Sequence, residues 1–65
     1  MNASEMIGKA LKALEVERSV DEVAAKIGCT RSEALDVMLY LAGTGKITLT
    51  DSLHSRWKVR HGVSE

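Results

Sequence analysis

The chain has 65 residues, nine of them basic and nine acidic, so its formal net charge at pH 7 is zero. A chain of this size buries only about 60% of its unfolded surface and holds one thin core. With a single cysteine, Cys29, it forms no internal disulfide, and with no charge excess it lacks the overall basicity of a strong nonspecific polyanion binder.

Charge is nevertheless uneven. Residues 1–45 carry five basic and seven acidic groups, and residues 46–65 carry four and two. Any phosphate-facing surface is therefore expected in the C-terminal third. No cationic, apolar-cored leader opens the sequence, and no apolar run approaches the ~20 residues that span a bilayer. Together with a lone thiol, which suits a reducing compartment, this predicts a soluble, cytoplasmic chain with no membrane contact.

The first predicted helix covers about 3–16. Ile7, Ala10, Leu11 and Leu14 recur at three- and four-residue steps, one face of a helix. Asn2 with Glu5 three residues on forms a capping box. Met6, Ala13 and Val16 widen the apolar stripe, which predicts a side that covers a partner and hence a homodimer. A second helix, about 20–27, starts from Ser19 and Glu22, buries Val20, Val23, Ala24 and Ile27, and stops at Gly28, where glycine takes a left-handed cap cheaply. The third, about 31–42, follows at once from Thr30 and Glu33, with Ala34, Val37, Met38 and Leu41 as its core face and Gly43 and Gly45 at its end. Two helices joined this tightly must cross steeply, the helix-turn-helix geometry.

The period then changes from helical to alternating, predicting a hairpin over about 47–60. Asp51 to Ser55 reads as the turn. Pairing Thr50 with Arg56 sets Leu49 opposite Trp57 and Ile47 opposite Val59, and turns all four apolar side chains toward the helices. His61 to Glu65 is expected to fray.

Three helices and a hairpin, with Val23-Ala24 at the crossing, Gly28 at the turn, Thr30, Ala34, Val37, Met38 and Leu41 along the third helix, and Gly45-Lys46-Ile47 leading into the hairpin, resemble the winged helix-turn-helix family. The likeness runs from Val20 to about Arg60. It implies a mainly helical α+β fold, a single winged-helix domain over 1–65, in which the third helix reads duplex DNA and the hairpin is a wing, as in transcriptional regulators. Gly45-Lys46-Ile47 and Trp57-Lys58-Val59 are also similar to Z-DNA-binding winged helices, but Leu35 and Leu39 stand where that group has Asn and Tyr, and the wing prolines are absent.

Candidate binding residues follow. Thr30, Arg31 and Ser32 open the third helix, where polar groups meet base edges and free N–H groups meet a phosphate. Arg56, Lys58 and Arg60 alternate on one face of one strand, about 7 Å apart, close to the step between phosphates. Glu33 belongs to its capping box, whereas Asp36 repels phosphate. Leu35, Leu39 and Tyr40 make an alternative, protein-binding surface of an adaptor or complex subunit. Enzyme signals are missing: His54 and His61 lack partners at metal-ligand spacing, Cys29 reads as a packing residue, and no glycine loop cradles a phosphate. No catalytic residue, metal or cofactor is expected.

Overall fold

Reciprocal capping boxes set all three helix starts. In the computed structural model, which describes residues 2–60, the Asn2, Ser19 and Thr30 side chains accept from the backbone N–H of Glu5, Glu22 and Glu33, and each glutamate accepts from the backbone N–H of its cap. The helices are α1 (Ala3–Ala13), α2 (Val20–Ile27) and α3 (Arg31–Gly43). Three strands complete the fold: β1 (Arg18–Ser19) between α1 and α2, then β2 (Ile47–Asp51) and β3 (Arg56–Val59). They form an antiparallel sheet in the order β1-β3-β2. The architecture is a small, mainly helical α+β domain.

The α1 boundary corrects the expected end at 16. A helix continued to Val16 would give the Ala13 carbonyl to the N–H of Glu17. Instead the Ala13 carbonyl accepts from Arg18 Nε (2.7 Å) and the Leu14 carbonyl from the Val59 N–H (2.9 Å). These two carbonyls of the helix end are thus satisfied by β1 and β3. The chain leaves the helix and supplies a third strand that the sequence reading did not contain. Of the residues expected to widen the apolar side of α1 toward a partner, Ala13 is buried in the chain's own core, Met6 is half-buried, and Val16 is exposed but lies beyond the helix.

Gly28 caps α2 at φ +76°, and residues 28–30 alone separate α2 from α3. Cys29 is half-buried against the core, where burial, then the Glu33 carboxylate, pushes its thiol pKa up. The core is helical. Leu14, Val23, Met38 and Leu41 are its largest wholly buried side chains, and the sheet adds Ile47.

Hairpin register follows the expected pairs Ile47–Val59 and Leu49–Trp57, but Arg56 lies opposite Asp51, with a bulge between Leu49 and Asp51. Thr50 is the extra residue; its hydroxyl donates to the Arg56 carbonyl (3.1 Å) and also meets the Glu17 carboxylate. A bulge bends the strand, and the four apolar residues do not share one environment. Ile47 is buried, Trp57 and Val59 are half-buried, and Leu49 is 42% exposed rather than turned into the core. The expectation for His61 to Glu65 lies outside the described residues.

Candidate functional site

The start of α3 presents Thr30, Arg31 and Ser32 together, all exposed. Their freedom differs. The Thr30 hydroxyl is held by its own capping box, in which the backbone N–H of Thr30, then its hydroxyl, keeps the Glu33 carboxyl below its usual pKa. Arg31 Nε lies 3.0 Å from Asp21 Oδ1, with both side chains more than 60% exposed. A surface pair of this kind is worth about 0–1 kcal/mol and yields readily to another anion. Ser32 is exposed beside them.

Beyond that first turn the exposed side of α3 carries Asp36, Leu39, Tyr40 and Gly43, with no Lys, Arg, Asn or Gln. Leu39 is 56% and Tyr40 58% exposed. Leu35 differs from them: it is half-buried and packs on the core.

The three cations of the last strand separate as well. Arg56 is not on a free outer face. Its Nε lies 3.3 Å from Glu17 Oε1, and its Nη2 lies 3.2 Å from both the Glu17 carbonyl and Glu22 Oε1. This half-buried guanidinium ties β3 to the chain around β1 and to the first turn of α2. The Glu22 carboxyl is kept below its usual pKa first by the Ser19 N–H and further by Arg56. Arg56 is therefore a structural clamp in this arrangement and does not share the free outer face expected for it with Lys58 and Arg60. Lys58 and Arg60 are exposed, and among the described residues neither is ion-paired.

Sequence reasoning missed Lys46, which joins these two. The Lys46 N–H donates to the Leu41 carbonyl (2.8 Å), its own carbonyl accepts from the Arg60 N–H (3.1 Å), and its side chain is exposed. Gly45, at φ +78°, makes the turn, and Arg60 Nη1 passes 3.7 Å from where a Cβ would stand there. The Gly-Lys step before the alternating run was the available signal. Lys46 and Arg60 thus sit at the C-terminal end of α3, while Arg31 and Ser32 sit at its N-terminal end, a helix length of about 20 Å.

The hairpin turn is rigidified by Asp51. Its carboxylate accepts from the Leu53 and His54 N–H groups (3.1 and 3.3 Å) and lies 2.8 Å from His54 Nδ1. The His54 side chain first, with these N–H groups, lowers the Asp51 pKa. Leu53 at the tip is 83% exposed. Among the described residues no cluster of His, Cys, Asp and Glu is placed to hold a metal ion, and no helix is long and apolar enough to cross a membrane. Comparison with protein-family models, with curated proteins and with solved structures returns no match.

Proposed function

We propose that the chain is a winged helix-turn-helix module that binds duplex DNA, of the kind found in transcriptional regulators. The element order α1-β1-α2-α3-β2-β3, the sheet order β1-β3-β2 and the tight α2–α3 turn support the family reading. The observation that carries the DNA reading is the placement of Lys46, Lys58 and Arg60. They are exposed cations, with Lys46 and Arg60 at the far end of α3 from Arg31 and Ser32. A major groove is about 12 Å wide. With the first turn of α3 in the groove, cations about 20 Å along the helix clear it and meet the phosphate ridge. Arg31 leaves Asp21 for a base edge or phosphate.

A salt titration on random duplex DNA tests this. Binding should weaken steeply as salt rises, and Lys58→Ala with Arg60→Ala should flatten the log–log slope by about two units. Arg56→Ala should leave the slope alone and lower stability by about 1 kcal/mol instead. Undetectable binding at low salt would overturn the proposal.

A second reading, a protein-binding module, is favoured by one specific observation: past its first turn the exposed side of α3 is acidic and apolar, with Asp36, Leu39 and Tyr40. That side suits neither phosphate nor base edges. Leu39→Asp should abolish capture of a protein partner while leaving the salt slope on DNA unchanged.

A further inference from the structure

A cleft of about 400 Å³ opens between the C-terminal ends of α1 and α2. Its lining is cationic, with Lys9 and Lys12 from α1, Arg18 from β1 and Lys26 from α2, around apolar Ala13, Val16 and Ile27. One acid, Glu15, also lines it. The three lysines are exposed, and among the described residues none is ion-paired. Lys12 and Lys26 occupy the last turns of their helices, where a cation complements the negative helix end. That accounts for their position but leaves their charge directed at solvent.

The chemistry of the cleft narrows its occupant. Small anions are held at helix N-termini, where free N–H groups converge. Here two helix C-termini meet, with the negative ends of their dipoles, so a small anion is disfavoured. Phosphate backbone gains nothing from Val16, which is 59% exposed. The surface fits a protein face that is acidic at its edge and apolar at its centre. The chain itself carries such a face on α3, where Glu33 and Asp36 border exposed Leu39 and Tyr40. Zero net charge leaves no long-range repulsion between copies.

We propose that this cleft receives the acidic, apolar face of α3 from a second copy of the chain, head to tail. The contact rests on the protein-binding reading of α3 and names its partner. It pairs two different surfaces, so it is heterologous and propagates into rings or open chains rather than closing as a two-fold dimer. The contact is one helix face against one cleft, so association is weak. Charge drives it, so it is strongest at about 10 mM ionic strength, where the Debye length is about 30 Å, and is lost near 1 M, where it is about 3 Å.

Sedimentation equilibrium of the full chain tests the proposal. At low salt the weight-average mass should rise above 7.1 kDa with concentration, and return to it at high salt. Lys12→Glu with Lys26→Glu should remain monomeric, and so should Asp36→Lys. The milder Lys12→Gln with Lys26→Gln, which adds no new charge, should weaken association at least about tenfold. Mixing the two charge-reversed proteins pairs an intact cleft with an intact α3 face and a reversed cleft with a reversed face, so association should return in the mixture. Wild-type protein that stays monomeric at low salt overturns the proposal. So does association that the charge reversals leave unchanged, or a mixture that remains monomeric. The broader reading fails separately: it ends if Leu39→Asp leaves capture of a protein partner intact.

Discussion

Among the described residues, ten of the eleven buried apolar side chains belong to the three helices or to Leu14, which caps α1; the sheet supplies Ile47. Helices and sheet therefore serve different ends. α1, α2 and α3 close on one another through Ala10, Val23, Ala34, Met38 and Leu41, with no buried polar group among the described residues. The hairpin closes only at its base. Trp57 and Val59 are half-covered, Leu49 and Leu53 face solvent, and the outward positions carry Thr48, Lys58 and Arg60. A domain this thin holds its stability in the helices and leaves the hairpin to carry surface chemistry. Arg56 joins the two regions by engaging both Glu17 and Glu22.

The largest effects should separate these regions. Leu41 is 1% exposed. Leu41→Ala should cost about 2–5 kcal/mol, against a total of about 3–10 kcal/mol for a chain of this length at roughly 0.05–0.15 per residue. That is a large share of the total, so the urea midpoint should fall steeply. Trp57→Ala should cost about 1–2 kcal/mol, because only part of the ring leaves water on folding. Urea melts of the two variants make the comparison. Equal midpoints would break it, since they would mean that the sheet carries as much of the core as the helices do.

What the sequence made legible divides along the same line. α2, its Gly28 cap and the α3 start were readable because each is specified within four residues: a hydroxyl, a glutamate three positions on, a glycine at the end. The hairpin register was readable at Ile47–Val59 and Leu49–Trp57, because alternation fixes phase, but the bulge at Thr50 was not. β1 has two residues and no local signal; it is a strand because β3 offers it an edge. The end of α1 depends on Val59, far along the chain. In the candidate site, contiguous Thr30, Arg31 and Ser32 were visible, whereas the loss of Arg56 to Glu17 spans 39 residues and leaves no trace in spacing. The α1–α2 cleft likewise joins Lys9 to Lys26, which nothing local connects.

Acid should weaken both regions, from slightly different starting points. Glu22 and Glu33 in the helix caps and Asp51 in the hairpin turn all have folded pKa values below their ordinary 4.5, 4.5 and 3.8. For a depressed carboxylate the stabilisation is complete above the ordinary value and is lost as pH falls through the folded one. The melting temperature should therefore carry no contribution from these groups to a change between about pH 7 and pH 6, and should drop below about pH 4.5. The helix-cap contribution begins to fall first, below the ordinary 4.5, and the Asp51 contribution follows below 3.8. Glu33→Gln, which retains a capping side chain, should flatten the upper part of that acid drop. An unchanged profile would mean that the caps contribute nothing through their charge.

The smallest effect uses two residues in the same backbone state. Gly28 ends α2 at φ +76°, and Ser55 ends the hairpin turn at φ +52°. The helical region fills its left-handed position with the residue that adopts it freely; the hairpin does not. A Cβ at Gly28 would meet nothing within 4 Å, so Gly28→Ala tests backbone conformation alone. It should cost about 1–2 kcal/mol, the left-handed penalty of an L-residue. Ser55→Gly removes the same penalty, but glycine loses about 0.5–1 kcal/mol more entropy on folding. The net gain should be a few tenths of a kcal/mol, up to about 1. Urea midpoints should move in opposite directions, the Ser55→Gly shift being the smaller, with the slope unchanged in both. A destabilised Ser55→Gly would mean that the serine side chain supports the turn by more than the strain it introduces, and the hairpin tip would then be as closely specified as the helix junction.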